Sequence, residues 1–152
     1  MDKKRKNPEG VTEQLAELLP LMMMQMVRLG DGLPRSAAEL TPQQLRVITA
    51  LNYAATSLRM TELATRLGVT QGTATDASKR LLKMGYLIRE RSSEDDRVVN
   101  ISLSQKGRNV ARDLRQARIE VFEKICAKLS PADRQKLLQS HQLIFDTYKS
   151  LT

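Results

Sequence analysis

At 152 residues the chain is long enough for one compact core or one two-part subunit, and its net charge of +8 favours an anionic partner, nucleic acid or an acidic membrane surface. Its most apolar stretch, residues 18–27, is about half the roughly 20 residues a bilayer-spanning helix requires, and its single cysteine, Cys126, has no partner for an internal disulfide. With no Trp, two Phe and three Tyr the chain is poor in the stacking surfaces that bind single strands, which leaves double-stranded DNA as the favoured polyanion, met in the cytoplasm with no membrane partner.

Residues 1–10 carry Lys3, Lys4, Arg5 and Lys6 ahead of Pro8 and Gly10 without apolar periodicity. They read as a disordered basic tail, either a solvated terminus or an arm that touches phosphates or a minor groove. From there Val11, Leu15, Leu18, Met22, Met26 and Leu29 recur at spacings of three and four, one face of a long helix that Pro20 either kinks or splits near Leu19. Met22, Met23, Met24 and Met26 fit two roles: an adaptable ligand pocket, or plain core and subunit interface.

After a loop over residues 30–39, Thr41 is a helix N-cap, Pro42 suits the first helical position, Gln44 completes a capping box and Leu40 with Leu45 forms a hydrophobic staple. Leu45, Ile48 and Leu51 make the buried stripe of this helix, which fades by Ala55. Thr61 then caps a two-turn helix with Leu63, Ala64 and Leu67 on its apolar face, ended by Gly68. Thr70 is a further N-cap, and Ala74, Ala77, Ser78 and Leu81 share one face until Gly85 ends the helix. Two helices joined by so short a glycine-bearing turn form a helix-turn-helix.

Beyond Gly85 the period becomes alternating. Residues 86–91 and 97–103 read as two strands around the turn-forming Ser92, Ser93, Glu94, Asp95 and Asp96, a hairpin placed as a wing directly after the recognition helix. Ser104 caps a long helix with Val110, Leu114, Ala117, Val121 and Ile125 in coiled-coil-like spacing. Ser130 and Pro131 open the last helix, whose Leu137, Ile144, Phe145, Tyr148 and Leu151 form a wide apolar stripe. The expected fold is mainly α with a small β-hairpin wing (α+β): a winged helix-turn-helix over residues 40–103, and a helical dimerisation region from residues 11–39 and 104–152. Apolar faces left over at both chain ends make a homodimer the economical outcome.

In order and spacing these residues resemble the MarR family over nearly the whole chain, from about Val11 onward. The resemblance rests on Leu40-Thr41-Pro42-x-Gln44, on Thr61-x-Leu63-Ala64-x-x-Leu67-Gly68-Val69-Thr70, and on Arg80-Leu81 with Gly85. It continues in Asp95-x-Arg97, Leu103-Ser104-x-x-Gly107 and Leu129-Ser130. It implies a triangular homodimer with interlocked terminal helices, each subunit presenting one winged helix to half of a palindromic operator. It also implies a small aromatic or phenolic ligand between the winged module and the dimer helices, and a minor-groove role for Arg97 oriented by Asp95. Two positions depart from the pattern: Asp76, where the family often carries a basic residue, and Gly72, where it carries a small polar residue or proline.

On the recognition helix the face opposite Ala74, Ala77 and Leu81 holds Gly72, Asp76, Lys79 and Lys83, flanked by Thr73, Thr75 and Arg80. Gln71, Thr73, Thr75 and Asp76 are the candidates for base edges; Thr70, Lys79, Arg80 and Lys83 are those for phosphates. Asp76 either accepts a hydrogen bond from a cytosine amino group or pairs with Lys79 or Arg80 and orients them. Arg97 as a minor-groove group competes with Arg97 as an ordinary surface ion pair. With one His and one Cys and no phosphate-binding glycine loop, the sequence offers no catalytic or cofactor site, and His141 reads as an interface residue. Two alternatives to DNA regulation by ligand stand beside it: a winged helix that binds only protein, and a thiol-based redox regulator. Against the latter, Cys126 reads as a buried small apolar residue.

Overall fold

The computed structural model describes residues 10–29, 33–54, 56–91 and 99–151; the expected tail, up to residue 9, lies outside them. The elements are α1 (Val11–Leu29), a single 3-10 turn (Arg35–Ala37), α2 (Pro42–Ala54), β1 (Leu58–Arg59), α3 (Met60–Leu67), α4 (Gln71–Lys83), β2 (Leu87–Arg91), β3 (Val99–Leu103), α5 (Gln105–Cys126) and α6 (Pro131–Leu151). This is the expected class, mainly helical with one small antiparallel sheet. The chain divides into two compact units, Leu33–Ala117 and, separately, Met1–Gly32 with Arg118–Thr152.

In the winged unit, local signals set the helix ends. At α2 the Thr41 N–H donates to the Gln44 Oε1 (2.9 Å) and the Gln44 N–H to the Thr41 Oγ1 (3.3 Å), the reciprocal box expected from the sequence. At α3 the sequence expectation is corrected. Arg59, not Thr61, is the N-cap; its N–H donates to the Glu62 carboxylate at 2.8 Å, and Thr61 sits in the first turn. The cause is tertiary. Leu58 and Arg59 pair with Ile101 and Asn100 as β1, so Arg59 is the last extended residue before the helix. Two residues are too few for an alternating pattern, and β1 has no signature in the sequence.

The sheet order is β1-β3-β2, with Leu87 opposite Leu103 and Arg91 opposite Val99. Ile101 and Leu103 point into the core. There they meet Val47, Ile48 and Leu51 of α2, Leu63 and Leu67 of α3, Ala74 and Leu81 of α4, and Val110 and Leu114 from the first turns of α5. Ala37 of the 3-10 turn joins the same core, and Ser36 Oγ donates to Asp113 Oδ2 of α5 at 2.7 Å. The core is therefore assembled from every element of the unit, and each fully buried aliphatic side chain contributes about 1.5–3 kcal/mol relative to exposure.

In the other unit α1 is one continuous helix across Pro20, so the split near Leu19 does not occur. Ser130 caps α6, accepting the Asp133 N–H at 3.2 Å while its hydroxyl donates to the Asp133 carboxylate at 2.7 Å. That hydrogen bond, with Lys136 alongside, holds the Asp133 carboxyl below the usual carboxylate range. Phe122 and His141 meet edge to face at 6.1 Å between ring centres. Cys126, the last residue of α5, is partly exposed in the single chain, a correction to the buried residue expected: at the helix end fewer neighbouring side chains cover it than cover Val121 earlier in the helix. No described residue of α6 is buried, and the apolar residues of α1 and α6 lie largely open in the single chain.

Candidate nucleic-acid interface

The surface that the sequence marks as the candidate for a polyanion is built on α3 and α4. Gly68 ends α3 at φ +63, a left-handed conformation that a side chain would strain, and its N–H returns to the Thr65 carbonyl at 3.1 Å. Arg46 of α2 donates to the Leu67 carbonyl, placing a cation on the last turn of α3. Two residues later Thr70 is extended (φ −67, ψ 154) and accepts the Thr73 N–H on its Oγ1 at 3.2 Å; the two threonine hydroxyls are 3.0 Å apart. α4 thus starts at a fixed point relative to α3.

Ala74, Ser78 and Leu81 are completely buried and Ala77 partly so, which anchors one side of α4; Ser78 Oγ also contacts Met60 Sδ at 3.9 Å. The sequence placed these residues on the inner face, and the structure places them there. Gln71, Gly72, Thr73, Asp76, Lys79, Arg80 and Lys83 are exposed on the rest of the helix, as is Thr70 at its start, while Thr75 is half-buried at the margin. Asp76 Oδ1 lies 3.6 Å from Lys79 Nζ, one helical turn on; of its two named partners, Lys79 is the one engaged. Between exposed groups such a pair contributes little to stability, about 0–1 kcal/mol.

Gly72 has no steric duty inside the fold. A Cβ there would meet only Thr70 Oγ1, at 3.8 Å, an ordinary contact. In a helix glycine costs about 0.5–1 kcal/mol relative to alanine. What it leaves is bare, exposed backbone in the first turn of α4.

The wing is described up to Arg91 on β2 and from Val99 on β3, paired to each other. Asp95 and Arg97 lie outside the described residues.

At the other end of α4, Gly85 (φ +78) turns the chain, its N–H donating to the Leu82 carbonyl (3.0 Å) and that of Tyr86 to the Leu81 carbonyl (2.9 Å). Tyr86, expected as the first residue of a strand, is instead a core residue at this corner, and β2 begins at Leu87. Its phenol donates to the Glu39 carboxylate; burial, then that hydrogen bond and the carboxylate charge, push its pKa up to about 12. Lys106 Nζ sits 4.0 Å over the Tyr86 ring. Sequence reasoning did not single out Glu39, Tyr86 or Lys106 as a group, and their separation along the chain leaves no local signal for it.

Among the described residues no set of three or more His, Cys, Asp or Glu is placed to hold a metal, and no helix is long and apolar enough to cross a membrane.

The MarR family model matches residues 40–99, the span from the α2 cap to the wing. The transcriptional regulator AdcR of Streptococcus pneumoniae is 31% identical over 107 residues, covering 68% of this chain and 71% of that protein. Among solved structures, RV1404 of Mycobacterium tuberculosis superposes with a TM-score of 0.78 at 20% identity, over 92% of this chain and 96% of its own. FabT of S. pneumoniae, solved in complex with DNA, superposes with a TM-score of 0.70 at 22% identity, over 93% and 97%. A winged helix-turn-helix with a family match across its reading module, and a relative of this identity and coverage, lead to one conclusion: the chain belongs to the MarR family of DNA-binding transcriptional regulators.

Proposed function

We propose that two copies of this chain read a palindromic operator, each laying α4 into a major groove with half-sites about 10 base pairs apart, centre to centre. In this reading residues 40–103 form the reading module, buttressed by Ala37 and the first turns of α5, the remainder of residues 11–39 and 104–152 supplies the subunit contacts, and the protein acts in the cytoplasm as a repressor without catalytic residues. The supporting observation is the division of α4: one side sealed into the core by Ala74, Ser78 and Leu81, the other presenting Gln71, Thr73 and Asp76 beside Lys79, Arg80 and Lys83. The basic residues, with Thr70 and the open backbone at Gly72, hold phosphates; Gln71, Thr73 and Thr75 approach base edges, Thr75 from the margin. The 3.6 Å pair favours the version in which Asp76 orients Lys79 over the one in which it reads cytosine. Arg97, oriented by Asp95, enters the adjacent minor groove.

The wild-type protein should select defined duplexes from a random pool, and its affinity for them should fall steeply with added salt as phosphate-bound counterions are released. Arg97→Ala should weaken that binding strongly without changing the oligomeric state. A flat salt response, or no selection at all, sinks the reading.

A ligand response is favoured by one feature. The terminal-helix unit holds a half-open apolar groove of about 290 Å³ lined by Leu21, Met22, Gln25, Phe122, Ile125, Leu137 and His141, within that unit rather than between the winged module and the dimer helices as the resemblance implies, and at the small end of the range for ligand pockets. A small aromatic or phenolic molecule that changes operator affinity must bind the two states of the protein unequally.

A further inference from the structure

The sequence Leu103-Ser104-x-Lys106-Gly107 at the start of α5 does more than begin a helix, for it grips the corner where the recognition helix ends. Ser104 Oγ donates to the Gly85 carbonyl at 2.7 Å, and the Ser104 N–H donates to the Tyr86 carbonyl at 3.0 Å. Gly107 packs so closely on that corner that a Cβ would come 2.2 Å from the Tyr86 carbonyl oxygen, a contact no side chain can make without moving backbone. Lys106 then reaches across: its Nζ donates to the Met84 carbonyl at 3.1 Å, directly after the last residue of α4. The same ammonium is 3.9 Å from Glu39 Oε1 and 4.0 Å over the Tyr86 ring, and Glu39 is itself held by the Tyr86 phenol.

We propose that Lys106 is a positioning residue for DNA reading, fixing the C-terminal end of α4 to α5 through the Met84 carbonyl while Glu39 and Tyr86 hold its ammonium in place. An ammonium at a helix C-terminus is favoured by the orphan carbonyls and the helix dipole, and an aromatic face with a carboxylate beside it restricts the long side chain. The lever is geometric. Lys79, Arg80 and Lys83 lie in the last two turns of α4, so a small swing of that end about the Thr70 cap displaces all three relative to a duplex. Because Lys106 is itself a partly exposed cation, a direct phosphate contact is the competing role, and the two roles separate by sign and by salt dependence.

The inference rests on DNA reading by α4, and the probe is the duplex selected from a random pool by the wild-type protein, compared with a scrambled duplex of the same length. Lys106→Met keeps the stem and removes the ammonium. It should weaken binding to the selected duplex about tenfold, with binding to the scrambled duplex and the slope of log affinity against log salt unchanged. Glu39→Gln adds one net positive charge, so charge alone would tighten binding; positioning requires it to weaken binding to the selected duplex about threefold. The double variant should bind like Lys106→Met, since both act on one contact. A salt slope reduced by about one in Lys106→Met assigns Lys106 to a phosphate and overturns the inference. So does binding by Glu39→Gln as tight as wild type or tighter. A wild-type protein that selects no duplex defeats the DNA-reading proposal instead, which keeps the two failures apart.

Discussion

Tyr86 is 1% exposed, and its phenol donates to the Glu39 carboxylate. The folded protein therefore resists ionising it until about pH 12, whereas an unfolded chain ionises tyrosine near pH 10. The sign follows from proton counts. Between those values the unfolded state loses a proton that the folded state keeps, so the stabilising contribution is complete below pH 10 and fades as pH rises toward 12. It should be on the order of 2 kcal/mol. Urea midpoints measured across that window should decline more steeply for wild type than for Tyr86→Phe, and equal slopes would show that the phenol ionises alike in both states. The sequence exposes this residue only as the start of a strand, because its neighbours Glu39 and Lys106 arrive from distant parts of the chain. The inner face of α4 shows the opposite case: Ala74, Ser78 and Leu81 are legible because a helical period is a local property. Asp76 stands between. Residues three and four positions ahead are both within reach on a helix, so the choice of Lys79 required coordinates.

Among the elements, α4 depends most on its first turn. Thr70 satisfies the Thr73 N–H and shares a 3.0 Å contact with the Thr73 hydroxyl, so one side chain fixes both the helix start and the orientation of an outward-facing threonine. Thr70→Ala should destabilise the protein by about 1 kcal/mol, the usual value of a lost N-cap. Thr70→Asp, which keeps an acceptor, should recover most of that stability while weakening DNA binding through its charge. Chemical denaturation of both variants tests this, and equal stability of Thr70→Ala and wild type would remove Thr70 from the capping role. Such caps, like the Thr41 and Gln44 box of α2, are legible in sequence because every partner lies within three residues. β1 and the Arg35–Ala37 turn are not. The first exists only through pairing with β3, and the second buries Ala37 against side chains of other elements. The displaced start of α3 has the same origin: Thr61 is a good capping residue, but the strand pairing of Arg59 fixes the entry two residues earlier.

At the scale of the whole molecule the uneven distribution of buried surface demands an account. The winged unit has a closed core, while α6 has no buried residue among those described, and Leu143, Phe145 and Leu151 are 69%, 58% and 76% exposed in the single chain. α1 repeats the pattern with Leu15, Leu18, Met23 and Met24. Monomeric proteins rarely leave apolar patches of such extent in water, and a second copy of the chain is the partner that carries matching faces in equal number. If the faces close on each other, folding and association are linked, and the melting temperature must rise with protein concentration. Phe145→Asp places a charge in the buried contact. It should abolish that concentration dependence and halve the mass seen by sedimentation, because desolvating an unpaired carboxylate outweighs the apolar contact it replaces. DNA binding reports the same event independently. A dimer engages its second half-site at the high local concentration set by the first, so the variant should lose about a hundredfold or more in affinity for a two-half-site duplex. For a duplex carrying one half-site it should lose little, since α4 and its Thr70 cap lie in the other unit. Equal losses on the two duplexes would place the defect in the reading module and leave the apolar faces unexplained by self-association.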